Sequence, residues 1–146
     1  MKGPRLSSEN LHASTVACDG RAVLISGLSG SGKSDLALRL IDRGFTLVSD
    51  DRTILRKEGG KLIASAPETI KGKLEIRGVG IVEMTTVSDM PVALVVELTG
   101  NIERLPDEGR ERLILGTGIP MINVDAMTAS APAKVALALD RLGLRF

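Results

Sequence analysis

The residues best suited by type and spacing to do chemistry lie at 27–34, Gly-Leu-Ser-Gly-Ser-Gly-Lys-Ser, which fits G-x-x-x-x-G-K-[ST] at every position. Glycines at this spacing let the backbone wrap tightly and aim several N–H groups at one point. Lys33 adds a point charge, and a helical pattern opening at Ser34 adds the partial positive charge of a helix N-terminus. An apolar run, Ala22-Val23-Leu24-Ile25, precedes the loop, so the order is the strand–loop–helix context that a phosphate cradle requires. Gly27, Leu28, Ser29, Gly30, Ser31, Gly32, Lys33 and Ser34 are therefore the expected nucleotide-phosphate contacts. Carboxylates follow at Asp50-Asp51, which close the next apolar strand one helix later. That position is the sheet edge at which open α/β folds bind ligands. Neighbouring residues on a strand point to opposite faces, so one of the two acids should face the nucleotide unless the chain has already turned there. Glu97, closing the most apolar run of the chain, is a competing candidate for a magnesium-holding acid. His12 is the only histidine. Pattern alone reads it as a surface or strand-end residue; the functional alternative is that its strand pairs beside the loop, where it could orient a carboxylate or contact phosphate.

The elements that must position these residues can be traced along the chain. Residues 1–10 read as a flexible leader and 11–146 as a single domain. Leu11–Ala17 reads as a strand, Asp19-Gly20 supplies a hairpin turn, and 22–26 returns antiparallel into the loop. Asp35–Arg43 is amphipathic at the helical period, with Leu36, Ala37, Leu40 and Ile41 on one face and Gly44 at the capping position. Phe45–Ser49 is the next strand. Residues 53–66 read as a hairpin around Gly59-Gly60, and Pro67-Glu68-Thr69 can start a short helix or turn. In 74–82 two glycines, Gly78 and Gly80, suggest a bend, and Glu75 and Arg77 would share a face as an exposed ion pair. Val92–Val96 is uninterrupted and apolar, as in a strand buried on both faces. The polar segment 101–118 reads as a solvated helix or loop, Ile119–Val124 as a strand, and Ser130-Ala131-Pro132 as the start of a last helix.

Composition excludes several function classes. The 146 residues carry 19 basic and 18 acidic side chains, a net charge of +1, which gives no electrostatic footprint for nucleic acid. With no Trp, no Tyr and two Phe, a base-stacking platform is not expected either. No apolar run approaches membrane-spanning length and no signal-peptide core is seen, so a soluble cytoplasmic protein is the expectation. The single cysteine, Cys18, excludes an internal disulfide framework and a cysteine-rich metal site.

The stretches GLSGSGKS at 27–34, FTLVSDD at 45–51 and LEIRGVGIV at 74–82 resemble the kinase domain of HPr kinase/phosphorylase. That bifunctional enzyme acts on a seryl residue of HPr, the phosphocarrier protein of the sugar phosphotransferase system. The phosphate loop alone is shared by many enzymes, whereas the 74–82 stretch matches the family's signature. The resemblance runs from about Leu11 to Val124. It implies an α/β fold, a P-loop-containing mixed sheet flanked by helices, of the HPr kinase C-terminal domain and PEP carboxykinase-like kind. It implies ATP and Mg2+ as cofactors, HPr as partner, and a homo-oligomer, a hexamer by family likeness. By the same likeness His12 matches the family's active-site histidine, Lys33 its loop lysine and Asp51 its proton acceptor. Ser34 and Glu75 match its metal contacts, and Arg104, in Glu103-Arg104-Leu105, its phosphate-contacting arginine. Two departures stand out. The family's separate N-terminal domain has no counterpart, so the likeness is to a short, kinase-domain-only form. The family's basic, glycine-containing loop near the end is replaced by Val124–Ser130, with neither arginine nor glycine, which sets the dephosphorylating direction apart from the kinase direction.

The expected activity is thus ATP-dependent serine phosphorylation of HPr, with phosphorolysis of the seryl phosphate to pyrophosphate as a further direction. Two other classes stay open. A small-molecule kinase of the shikimate or nucleotide type shares the loop but needs an arginine-rich lid, and the only arginine-dense stretch, 104–112, is short and mixed with acids. A nucleotide-binding regulator without turnover would keep the loop and lack transfer. A GTPase is disfavoured, because Asn123-Val124-Asp125 fails the guanine-reading pattern.

Overall fold

The computed structural model describes residues 8–146. The phosphate loop is held between β3 (Arg21–Ser26) and α1 (Lys33–Asp42). Before them come β1 (Ser8–Leu11) and β2 (Ala13–Cys18). After them follow β4 (Thr46–Ser49), the hairpin β5 (Thr53–Glu58) and β6 (Lys61–Ser65), and the small hairpin β7 (Lys73–Ile76) and β8 (Gly80–Glu83). The chain closes with β9 (Met90–Leu98), β10 (Glu111–Ile114), β11 (Thr117–Val124) and α2 (Ala131–Leu142).

The main sheet runs β1-β5-β6-β9-β3-β2-β4, and β11 with its partner β10 joins it at β9. The long strand β9 is its spine. One edge pairs parallel with β3, from Ala22↔Val92 to Ser26↔Glu97. On the other edge β6 takes the first residues, Met90 and Pro91, and β11 pairs parallel with the last, Val95–Leu98. This register brings Ser26, Glu97 and the C-terminal end of β11 to one edge of the sheet, where the phosphate loop begins. Side chains of β3 alternate between two cores. Val23 and Ile25 pack with Leu36, Leu40, Val135 and Leu139 of the helices, while Ala22 and Leu24 pack with Leu55, Leu62 and Ile119. Both helices thus cover one face. The other face is closed by the sheet curling its own β5–β6 hairpin over the centre, which is why the apolar run of β9 is buried on both sides.

Local chemistry accounts for the turns. Asp19 and Gly20 sit at φ 52° and 76°, and Gly59 and Gly60 at 58° and 75°, the two left-handed residues that a tight two-residue hairpin needs. Helix α1 ends in a paired cap: Phe45 N–H donates to Leu40 O at 3.0 Å and Gly44 N–H to Ile41 O at 3.0 Å, with Gly44 at φ 112°.

Three sequence expectations are corrected. The proposed leader is in part structured, because Ser8–Leu11 forms β1 against β5; its first seven residues lie outside the described residues. The strand expected over Leu11–Ala17 is interrupted at His12, which separates β1 from β2. The polar segment expected as helix or loop contains β10, joined to β11 by Leu115-Gly116 at φ 50° and 76°. A leucine in the left-handed region is sterically disfavoured, so this turn carries no sequence signal comparable with Asp-Gly or Gly-Gly.

Candidate active site

The loop from Gly27 wraps over the ends of β3 and β9. Gly30 and Gly32 have positive φ, 80° and 98°. A Cβ on Gly32 would come 3.2 Å from Ala126 Cβ, and one on Gly27 would come 2.7 Å from Ser31 Oγ and 3.1 Å from Leu98 Cβ. The glycines are therefore needed both for conformation and for close approach. Lys33 is buried, and its Nζ donates to the carbonyls of Gly27 (3.2 Å) and Leu28 (3.1 Å), which hold the ammonium at the root of the loop.

A cavity of about 590 Å³ opens along the loop. Residues 29–35 form one wall, and Asp51, Glu75, Arg77 and Met127 stand around the rest. The acid pair divides its tasks. Strand β4 has ended at Ser49, and Asp51 sits at φ 65°, so the two acids lie in a turn. Asp51 is exposed and lines the cavity. Asp50 is buried, and its carboxylate gathers three donors: Ser34 Oγ (2.6 Å) and Ser14 Oγ (2.9 Å) on Oδ1, and Glu75 N–H (3.1 Å) on Oδ2. Ser14 Oγ in turn accepts Asp51 N–H at 3.1 Å. One buried carboxylate thereby ties β2, the start of α1 and β7 together, and sets Ser34, Asp51 and Glu75 around the same space. Ser14 was missed by sequence reasoning. Its signal was a pair of polar residues, Ser14-Thr15, within an otherwise apolar buried strand.

Ser34 donates its hydrogen to Asp50, so its oxygen lone pairs remain available, and Glu75 presents a carboxylate to the cavity. These are hard oxygen donors of the kind magnesium prefers. Among the described residues no group of three or more His, Cys, Asp or Glu side chains could cage a metal by itself. The donor set therefore fits an ion shared with substrate phosphates, which is magnesium's usual mode.

Other predicted residues fall elsewhere. His12 is exposed and lines a second cavity of about 280 Å³, together with Ser26, Gly27, Leu28, Glu97 and Arg112. No hydrogen bond joins His12 to Asp51 among the described residues; Ser14, two residues on, makes the contact to both acids. Glu97 also faces the second cavity, 3.9 Å from Arg112 Nη1. Arg104 lies exposed in the 99–110 segment and lines neither cavity. The expected Glu75–Arg77 ion pair is not among those formed by the described residues. Arg39 of α1 reaches over to the carbonyls of Thr128 (3.2 Å) and Ala126, and so holds the 125–130 segment against the loop.

Comparison with known proteins agrees with this architecture. The family model described as HPr serine kinase C-terminal domain matches residues 5–139. The chain belongs to this family. A protein of Limosilactobacillus reuteri named HPr kinase/phosphorylase is 35% identical over 133 residues, covering 82% of this chain and 42% of that protein. The Clostridium tetani protein of the same name is 38% identical over 117 residues, covering 80% and 38%. The chain thus spans about two fifths of the length of the curated relatives it matches. The structure titled as the Hpr(Ser) kinase/phosphatase from Coxiella burnetii superposes with a TM-score of 0.78 at 31% identity, covering 90% of this chain and 94% of that one. The mixed α/β fold is therefore shared with that structure. No described helix is long and apolar enough to cross a membrane.

Proposed function

We propose that this domain transfers the γ-phosphoryl group of ATP to a seryl hydroxyl of HPr. The observation that carries the reading is the convergence of the phosphate loop, Asp51, Ser34 and Glu75 on one cavity. Loop N–H groups and Lys33 hold the β- and γ-phosphates. Asp51, exposed at the cavity wall, accepts the proton of the attacking hydroxyl while the bond from the γ-phosphorus to the bridging oxygen breaks and ADP leaves. Ser34 and Glu75 would hold magnesium, which would supply neutralising charge at the phosphate oxygens. Asp50 serves as the anchor that fixes both of these residues through its hydrogen bonds. His12 and Arg104 are proposed participants by sequence likeness alone.

In the reverse sense Asp51 returns its proton to the seryl oxygen as inorganic phosphate attacks the seryl phosphorus, giving pyrophosphate. The 125–130 segment favours the forward direction as the main one, since it places Ala126 and Met127 beside the loop with no cation among its residues. The domain is expected to act in the cytoplasm on soluble HPr, as an oligomer.

Incubation with γ-labelled ATP, magnesium and purified HPr tests the proposal. Label on a seryl residue of HPr is the expected result. Label on a small metabolite would select the small-molecule kinase class, and nucleotide binding without transfer would select a regulator.

A further inference from the structure

Asp51 lies at φ 65°, in the left-handed region that is sterically disfavoured for a residue with a Cβ. Something must hold it there. Its N–H donates to Ser14 Oγ at 3.1 Å. Ser14 is fully buried on β2, and its one hydroxyl hydrogen goes to Asp50 Oδ1 at 2.9 Å. That bond fixes the hydroxyl and directs its lone pairs, one of which receives the Asp51 amide. A single hydroxyl thus grips both acids of the turn, donating to the side chain of one and accepting from the backbone of the next. The Asp51 carboxylate takes part in no hydrogen bond among the described residues and is left to line the cavity. Thr15, the next residue of β2, is equally buried but serves another part of the chain. Thr53 gives its hydroxyl hydrogen to Ala13 O at 2.9 Å, so Thr15 is the donor in the 2.7 Å contact between the two threonine hydroxyls. The Thr15 hydroxyl therefore pins the start of β5, while that of Ser14 pins the acid turn.

We propose that Ser14 is a positioning residue for phosphoryl transfer, whose hydroxyl holds Asp51 in the left-handed conformation that presents its carboxylate to the acceptor hydroxyl. The inference rests on the reading of Asp51 as the proton acceptor. A general base must stand within hydrogen-bond reach of the proton it takes. Rotation about φ carries the Cβ with it, so an Asp51 released from Ser14 turns its carboxylate away from that place. The groups that hold nucleotide and metal do not depend on Ser14. Lys33 bonds to Gly27 and Leu28, and Ser34 and the Glu75 amide have their own bonds to Asp50. Loss of the Ser14 hydroxyl should therefore fall on turnover.

The test is steady-state labelling of HPr from γ-labelled ATP by the wild type, Ser14→Ala and Thr15→Val, read as kcat, KM for ATP and the half-saturating magnesium concentration. Ser14→Ala should lower kcat by about tenfold to a hundredfold, as a misplaced catalytic group does. Its KM for ATP and its magnesium requirement should stay within about twofold of wild type, because no binding group is lost. Thr15→Val removes a hydroxyl of equal burial that bonds to neither acid, and its kcat should stay within about twofold of wild type. A wild-type kcat in folded Ser14→Ala, an equal fall in Thr15→Val, or a loss confined to KM or to the magnesium requirement would overturn the assignment. If Ser14→Ala does not fold, Ser14→Cys, which keeps the shape with a weaker donor and acceptor, is read in the same way. A wild type that leaves HPr unlabelled would refute the proposed function and, with it, the step that Ser14 serves. A labelled HPr with unimpaired Ser14→Ala would refute this inference alone.

Discussion

Asp50→Ala probes the anchor on which the site geometry depends. The carboxylate accepts from two hydroxyls and one backbone N–H, and the three donors do not respond alike to its loss. Ser14 is fully buried, so its hydroxyl is left without an acceptor at a cost of about 1–3 kcal/mol. Ser34 and the Glu75 amide are only part-buried and can turn to water, so each loses a net contribution of about 0.5–1.5 kcal/mol. Against this, removing a buried carboxylate relieves part of its desolvation cost. The balance is a destabilisation of about 2–3 kcal/mol, which for a chain of this length lowers the melting temperature by about 10 °C. The change should also have a local signature. Glu75 N–H to Asp50 is the hydrogen bond that ties the β7–β8 hairpin to the acid turn. Amide exchange at Glu75 should therefore quicken by about tenfold or more, while the centre of β9 changes only with global stability. Circular dichroism melts and hydrogen exchange read the two effects. A melting temperature within about 3 °C of wild type, with Glu75 exchange unchanged, would refute the anchoring role.

Further outcomes follow from the same geometry. Asp51→Asn should abolish transfer to HPr while ATP affinity stays within about threefold of wild type, because only the proposed proton acceptor is lost; normal labelling of HPr by this variant would remove the general-base assignment. Gly32→Ala places a methyl 3.2 Å from Ala126 Cβ at a positive φ, so it should cost stability and lower nucleotide affinity together, measured by melts and calorimetry. Arg39→Ala should free the 125–130 carbonyls at a cost of about 1–2 kcal/mol, seen as faster exchange at Thr128 and Ala131. Burial pushes the Cys18 thiol above its ordinary range, and the neighbouring Asp19 charge and hydrogen bond act in the same direction. The folded chain therefore holds this proton to higher pH than the unfolded chain. Its contribution is full below the unfolded thiol's pKa and is lost as pH rises through the folded one. Alkylation of native Cys18 should accordingly reach half its maximal rate at a higher pH than that of the denatured chain.

The sequence by itself determined the elements whose signals are local. The phosphate loop, the Asp19-Gly20 and Gly59-Gly60 turns, the amphipathic α1 with Gly44 behind it and the doubly buried β9 were all legible. Each depends on backbone freedom at glycine or on a periodicity carried by neighbouring residues. It also named Asp51, Ser34 and Glu75 as site residues, and the fold brings these around one cavity. What only the tertiary structure decided was which side chains meet across the sheet. Asp50 turns inward as the anchor because Ser14 and Ser34 meet its carboxylate from other elements, contacts that the acid pair alone could not reveal. Ser14 joins the site because β2 runs beside β4, and Arg112 reaches Ser26 because β10 folds back on β11 through a turn with a disfavoured leucine. Sequence likeness named Arg104, which the fold leaves exposed and away from both cavities. The parallel pairing of β3, β9 and β11 chooses the edge where the chemistry sits, and that choice rests on contacts between residues far apart in the chain.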